Sequence, residues 1–196
     1  MENKKIGLLF GSFNPIHVGH LFMAEMCIEN TNLDEVWFVV SPQSPYKTEK
    51  GLLTDVEHRI NMVNLSIKDR EHFKISTVEL KLPYPSYTSN TMEFLTSQYS
   101  YDFYIICGTD VYTDIPNWIG GEKVIELSKF IVYPRSNSTV YSPEKMKYKT
   151  TWIEGVPSFG ISSTFIRNQI KNNKTTKHLL TENVIEYINK NKLYYK

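Results

Sequence analysis

Two histidines that follow a glycine and a proline are the side chains of this sequence best suited to chemistry. They lie in the segment GSFNPIHVGH, residues 11–20. His17 and His20 are three residues apart, so on a helix they would share one face near its start. A helix start offers unpaired N–H groups and a partial positive charge, to which two imidazoles add N–H donors. The pattern therefore predicts a phosphate site, and Gly11 would let the backbone approach the anion closely.

Two other interpretations of this histidine pair compete with a phosphate site. Taken alone, two histidines at this spacing are more often solvated or structural than functional. A zinc site is the second alternative, but the glutamate and the four-residue spacing of the H-E-x-x-H motif are absent. The coincidence with Gly11, Pro15 and Gly19 directly after an apolar run favours the phosphate site.

A second segment with phosphate-binding chemistry lies near the other end of the chain. It reads ISSTFIR, residues 161–167, and its hydroxyl side chains are good helix N-caps. Arg167 follows one turn into the predicted helix, and its planar fork suits phosphate oxygens. Taken alone, a serine-capped helix with an exposed arginine would be the simpler interpretation.

Alternating strands and helices would have to position these two segments. Apolar runs predict buried strands at residues 6–10, 36–40, 73–76, 103–107, 130–133 and 151–154. Apolar spacing and capping signals predict helices from about residue 18, over 54–67 with a capping box of Thr54 and Glu57, over 89–98, 163–171 and 181–189. The polar stretch 135–149 is typical of a surface loop.

This alternation predicts a doubly wound, Rossmann-like α/β fold, with a mainly parallel sheet and helices on both faces. We expect a single domain over residues 1–196, including the closing helices at about 163–190. Ligands of such folds bind beyond the carboxyl ends of the strands. That rule directs attention to residues 11–20, 41–47 and 108–110.

The composition narrows the possible partners and the compartment. The formal net charge is +1, from 22 basic and 21 acidic residues, which argues against a nucleic-acid binder. No apolar stretch approaches the roughly 20 residues that cross a bilayer, and no apolar leader is present, so we expect a cytoplasmic protein without a membrane partner. Cys27 and Cys107 could pair, but in apolar runs they are more typical of free core thiols in a reducing compartment. A monomer and a homo-oligomer both stay open.

The two motifs together resemble a known superfamily. The pattern G-S-F-x-P-x-H-x-G-H after a strand is similar to that of the nucleotidyltransferases with the H-x-G-H signature, which transfer a nucleotidyl group and release pyrophosphate. In them the two histidines contact the triphosphate, and a motif similar to I-S-S-T-x-I-R grips the β- and γ-phosphates. The resemblance implies an ATP site formed by Gly11, Ser12, Phe13, His17, His20, Gly108, Asp110, Ile161, Ser162, Ser163 and Arg167.

Three further segments resemble the nicotinate-nucleotide adenylyltransferase family. PSYTSNT, residues 85–91, is similar to the S-Y-T-x-D-T pattern that borders the pyridine site, although Asn90 replaces the usual aspartate and could still cap the next helix. The G-T-D at residues 108–110, followed by Trp118, resembles a G-x-D…W pattern that holds ribose hydroxyls and stacks on the pyridine ring. Ile119 stands where many relatives have tyrosine. PQSPYK, residues 42–47, is similar to a P-x-x-P-x-K loop.

This family resemblance assigns roles to individual residues. It implies a mononucleotide site formed by Lys47, Tyr87, Thr88, Asp110, Trp118, Ile119 and Arg135, and catalytic roles for His17, His20, Lys47 and Arg167. Without the family, Trp118 could equally be core packing, and Lys47 an ordinary surface lysine.

The implied reaction joins nicotinate mononucleotide to the AMP part of ATP, giving nicotinate adenine dinucleotide and pyrophosphate in NAD biosynthesis. Mg²⁺ would accompany ATP and be held mainly by the nucleotide, since the motifs contain few carboxylates and suggest no metal site of the protein's own. Two alternatives stay open. One is another acceptor, nicotinamide mononucleotide or phosphopantetheine. The other is a non-catalytic nucleotide-sensing module of the same fold.

Overall fold

A six-stranded parallel sheet forms the centre of the computed structural model, which describes residues 2–43, 53–134, 147–157 and 160–195. The strands are β1 Lys5–Gly11, β2 Glu35–Val40, β3 Phe73–Ser76, β4 Asp102–Gly108, β5 Lys129–Tyr133 and β6 Thr150–Trp152. Their order is β3-β2-β1-β4-β5-β6, and every neighbouring pair is parallel. The predicted doubly wound α/β fold is confirmed.

Among the described residues, five helices lie between strands along the chain, and two follow β6. They are α1 Val18–Asn30, α2 Val56–Ile67, α3 Thr88–Gln98, α4 Thr109–Asp114, α5 Gly121–Leu127, α6 Ser163–Lys171 and α7 Glu182–Asn191, with 3₁₀ turns at Val78–Lys81 and Ile115–Asn117. The sequence pattern did not predict α4 and α5, because helices of six and seven residues are too short to show a clear apolar period. No helix in the described part of the chain is long and apolar enough to span a membrane.

Two apolar cores lie on opposite faces of the sheet. In one core, α1, α2, α6 and α7 pack against sheet side chains such as Phe38 and Ile106. In the other, α3, α4 and α5 pack against sheet side chains such as Leu8 and Phe130. Side chains of successive strand residues point to opposite faces, so a central strand needs apolar residues in succession. Cys27 and Cys107 are both buried and are not joined in a disulfide, which confirms the expected core thiols.

Two predicted helix caps are wrong. The N-cap of α2 is Asp55, whose side chain accepts from the N–H of Glu57, so Thr54 lies one residue before the observed N-cap and does not form the predicted capping box. Asn90 does not cap α3, because the backbone already turns helical at Thr88 after the N-cap Tyr87. The N–H of Asn90 instead donates to the carbonyl of Tyr87.

The strand order places the functional edge of the sheet. From β1 the chain moves outward through β2 and β3, and from β4 it moves the other way through β5 and β6. Such a switch between adjacent strands leaves a crevice at their carboxyl ends. Gly11 ends β1 and Gly108 ends β4, so both predicted glycine turns open on the same crevice.

Candidate active site

A cleft of about 340 Å³ lies at the carboxyl ends of β1 and β4. Ten of the predicted site residues line it: Gly11, Ser12, Phe13, His20, Tyr87, Thr88, Gly108, Trp118, Ile119 and Ser163. Lys47 and Arg135 lie outside the described residues, so their roles stay predictions. The cleft therefore joins the segment after β1 to parts of three other predicted motifs.

The two histidines are held against each other at the start of α1. The ring centroids of His17 and His20 are 3.7 Å apart, and the backbone N–H of His17 donates to Nδ1 of His20 over 3.2 Å. Since Nδ1 accepts this bond, the proton of a neutral His20 ring sits on Nε2. His17 is only 7% exposed, whereas His20 lines the cleft. His20 is thus oriented as a hydrogen-bond donor by the backbone of the loop itself.

Close packing fixes this loop. A Cβ on Gly19 would lie 3.1 Å from Nδ1 of His17, which is tighter than most real Cβ contacts, so the His17 ring would have to shift slightly to accept a larger residue there. Phe13 has a φ of 45°, an uncommon conformation for a bulky residue, and it is almost fully buried. Its ring packs edge-on against His20 with centroids 5.1 Å apart. The core thus maintains a backbone shape that the local sequence alone would not favour.

The start of α6 is fastened to the same loop. The hydroxyl of Ser163 donates to the carbonyl of Pro15 over 2.9 Å, and Nη1 of Arg167 donates to the carbonyl of Asn14 over 2.9 Å. Ser162 caps the helix by accepting from the N–H of Phe165. The expectation that the two motifs meet in space is therefore confirmed, although they lie at opposite ends of the chain.

A second group of predicted residues forms the other side of the cleft. Tyr87 and Thr88 enter α3, and the N–H of Ser86 donates to the carbonyl of Gln43 over 3.0 Å. Trp118 packs partly against the core and also lines the cleft, so the core-packing interpretation is confirmed in part, while stacking on a pyridine ring stays a prediction. The side chain of Ile119 is 65% exposed.

Five predicted ATP-site residues do not line this cleft: His17, Asp110, Ile161, Ser162 and Arg167. His17, Ser162 and Arg167 lie directly beside it, in the contacts just described. Asp110, in the first turn of α4, lines a more open recess that it shares with Trp118.

Sequence reasoning missed two polar residues behind the loop, the buried Arg59 and the partly buried Tyr194. Arg59 is 1% exposed, and its guanidinium donates to four backbone carbonyls of the described residues. Tyr194 donates its hydroxyl to Oδ1 of Asn14 over 2.9 Å, and that oxygen also accepts from the N–H of Thr54. Burial raises the pKa of Tyr194 to about 12, so it stays a donor at neutral pH. The sequence did offer one signal for Arg59, because it places this charged residue on the apolar face of a predicted helix.

A third missed residue lies behind the α3 side of the cleft. Glu79 is 1% exposed, and its Oε1 accepts from the hydroxyl of Thr91 over 3.0 Å. It forms no ion pair with any residue that the structure describes. Burial raises the pKa of the Glu79 carboxyl, partly offset by hydrogen bonds from Ser41, Thr91 and Ser86. A single glutamate in a loop gives no sequence signal for such burial.

Comparison with known proteins agrees with this geometry. The chain matches the cytidylyltransferase-like family over residues 8–169. It is 41% identical to a probable nicotinate-nucleotide adenylyltransferase of Flavobacterium psychrophilum, covering 98% of this chain and 100% of the relative. A probable nicotinate-nucleotide adenylyltransferase of Bacillus cereus is 38% identical, with 97% of this chain and 98% of the relative covered.

The fold of this chain also resembles solved structures. Plasmodium falciparum nicotinic acid mononucleotide adenylyltransferase complexed with NaAD matches with a TM-score of 0.75 and 26% identity, covering 97% of each chain. The same protein complexed with APC matches with a TM-score of 0.76 and 25% identity over 97% of each chain. This chain belongs to the cytidylyltransferase-like family and, within it, to the nicotinate-nucleotide adenylyltransferases.

Proposed function

We propose that the cleft performs the reaction of this family, the transfer of the adenylyl group of ATP to nicotinate mononucleotide. The products are nicotinate adenine dinucleotide and pyrophosphate, which makes the reaction a step of NAD biosynthesis. The observation that carries the proposal is the junction of the two phosphate-binding motifs, through the hydrogen bonds from Ser163 to Pro15 and from Arg167 to Asn14.

The chemistry proposed is a direct displacement at phosphorus. A 5′-phosphate oxygen of the mononucleotide forms a bond to the α-phosphorus of ATP, and the bond from that phosphorus to the leaving pyrophosphate oxygen breaks. The nucleophile is already an anion near neutral pH, since a phosphate monoester has a second pKa of about 6. A general base is therefore unnecessary, and catalysis rests on alignment and on stabilising negative charge.

Charge stabilisation is proposed for His20 in the cleft, for His17 and Arg167 beside it, and for Lys47, which lies outside the described residues. His20 would donate from Nε2, and Arg167 would supply a permanent positive charge one helical turn from the start of α6. His17 would act beside them, and Lys47 from the loop after β2. The starts of α1 and α6 add backbone N–H groups to the same region.

Mg²⁺ is proposed to enter as part of the ATP complex. Among the described residues, no group of three His, Cys, Asp or Glu side chains could hold a metal ion by itself. Phosphate oxygens and water, which Mg²⁺ prefers, would therefore be its main ligands. The ion would neutralise charge on the leaving pyrophosphate.

The nicotinate carboxylate is proposed to bind at the start of α3. Tyr87 is the N-cap of this helix, and Thr88 begins it beside Trp118 and Ile119 in the cleft. A carboxylate at a helix start gains about 0.3–1 kcal/mol over a neutral group. This arrangement favours nicotinate over nicotinamide mononucleotide, and the flat indole of Trp118 would stack on the ring.

Pyrophosphate release with purified protein tests the proposal. We expect release with ATP and nicotinate mononucleotide, and much slower release with nicotinamide mononucleotide or phosphopantetheine as acceptor. A faster reaction with either of the others would reassign the acceptor. Calorimetric binding of ATP without turnover of any acceptor would instead support the nucleotide-sensing alternative.

A further inference from the structure

A buried guanidinium connects the ends of β1 and β2 behind the cleft. Arg59 lies in the first turn of α2, and its Nη1 donates to the carbonyl of Ser12 over 2.8 Å and to that of Ser41 over 2.7 Å. Its Nη2 donates to the carbonyl of Pro42 over 3.0 Å, and its Nε to that of Thr54 over 2.9 Å. One side chain therefore holds the loop after β1, the loop after β2 and the entry to α2.

The charge of this arginine is buried, and its hydrogen bonds within the described part of the chain go to carbonyl oxygens rather than to a carboxylate. Arg59 is 1% exposed and forms no ion pair with any residue in the described ranges. Burial lowers its pKa, yet a guanidinium stays protonated at neutral pH because its ordinary pKa is so high. Burying an unpaired charge costs stability, which four carbonyl dipoles offset only in part. This arrangement leaves positive charge directly behind the predicted triphosphate loop.

The bonds also fix the orientation of one peptide unit in the cleft wall. In a trans peptide the C=O and the following N–H point in opposite directions. Because the carbonyl of Ser12 points to Arg59, the N–H of Phe13 points away from it. Ser12 and Phe13 both line the cleft, and Ser41 lines it as well. The fork of arginine is needed here, since lysine has only three donors on one nitrogen and cannot reach carbonyls on several sides at once.

We propose that Arg59 is a positioning residue that couples the triphosphate side of the cleft to the mononucleotide side. It sets the backbone of the loop that receives ATP, and through Ser41 and Pro42 it holds the start of the segment that leads to Lys47. Its positive charge acts on the anionic substrates through the protein interior, without touching them. The inference rests on the proposed function, because the two sides are named for the two substrates.

Arg59→Lys tests this role, because it keeps the charge and removes the fork. We expect the variant to fold, its kcat to fall about ten-fold or more, and both the Kd for ATP and the KM for nicotinate mononucleotide to rise. A purely structural role would lower the fraction of active protein and leave the KM and Kd values unchanged. Arg70→Lys is the matched control, since Arg70 is a partly exposed arginine paired with Glu25 outside the cleft.

Two results would overturn the proposal. One is a folded Arg59→Lys protein whose kcat, KM and ATP Kd all lie within about two-fold of the wild type. The other concerns the wild-type protein and needs no variant that might misfold. The NMR signal of the Arg59 Nε–H should shift when an ATP analogue binds and again when mononucleotide binds, and a signal that responds to neither would exclude the coupling. If the wild type binds ATP but transfers nothing, the proposed function fails. The Kd for ATP, measured by calorimetry, and the NMR signal would still test the role of Arg59.

Discussion

The two sides of the cleft are built differently. On the triphosphate side Phe13 and Asn14 are each 2% exposed, and the loop is hydrogen-bonded to α2, to α6 and to the C-terminal segment. On the mononucleotide side Ile119 is 65% exposed, and the contact from Ser89 Oγ to its carbonyl is a long 3.5 Å. One side is closely packed and hydrogen-bonded, so we expect it to be rigid, whereas the other is more exposed.

This difference matches what each side is proposed to do. Donors that stabilise a transition state must be in place before charge develops, so rigidity on the triphosphate side serves the chemical step. A pocket that selects an acceptor can adjust when the ligand arrives. Changes on the first side should therefore lower kcat, and changes on the second should raise the KM for the mononucleotide.

Removing the cleft-facing imidazole should have the largest effect. We expect His20→Ala to lower kcat by about 100-fold or more, because it removes a donor aimed at the transition state. Steady-state kinetics with both substrates measures it. His178→Ala, at an exposed histidine outside the cleft, should match the wild type. A kcat of His20→Ala within a few-fold of the wild-type value would contradict a catalytic role for the triphosphate side.

Removing the indole tests the mononucleotide side. We expect Trp118→Ala to raise the KM for nicotinate mononucleotide about ten-fold, through lost stacking, with the KM for ATP unchanged. Trp118→Phe should recover part of the loss. Trp37→Phe serves as the control, since Trp37 packs against Tyr99 and Tyr101 and does not line the cleft. An unaltered mononucleotide KM in Trp118→Ala would contradict the stacking role.

A smaller effect should follow from loosening the loop from behind. Tyr194→Phe removes only the hydroxyl that binds Asn14, at a cost of about 1 kcal/mol of unfolding free energy. We expect kcat to fall a few-fold with the mononucleotide KM unchanged. Tyr195→Phe, at the exposed neighbouring tyrosine, should alter neither quantity. A rise in mononucleotide KM for Tyr194→Phe would contradict the expectation that this hydroxyl supports only the triphosphate side.

The smallest effect should appear in the pH dependence of stability. Burial raises the pKa of Glu79 above its ordinary value of 4.5, so the folded state favours the protonated carboxyl. Its contribution to stability is complete at pH values below 4.5 and is lost as the pH rises through the higher folded pKa.

We therefore expect Glu79→Gln to lose less stability than the wild type between acidic and neutral pH, because its amide cannot ionise and still accepts from Thr91. Thermal unfolding across this range measures the difference, with exposed Glu93→Gln as the control. If the unfolding temperatures of wild type and Glu79→Gln change in parallel with pH, the raised pKa of the Glu79 carboxyl would be contradicted.

Local patterns predicted most of the fold and the centre of the site. Apolar runs followed by glycine turns marked the strands, and the histidine and serine motifs marked two loops that meet in space. The Thr54 cap was wrong because Asp55, an equally good cap, stands next to it. The sequence signalled only that Arg59 stands on an apolar helix face. The contacts of Arg59, Glu79 and Tyr194 could not be predicted, because only tertiary packing brings their partners together.

A crystal structure with a non-hydrolysable ATP analogue tests the central claim most directly. The account predicts that the phosphates lie between the start of α1 and the start of α6, with Nε2 of His20 and the guanidinium of Arg167 within hydrogen-bond or ion-pair distance of phosphate oxygens. A triphosphate bound elsewhere, with both side chains remote from it, would contradict the account.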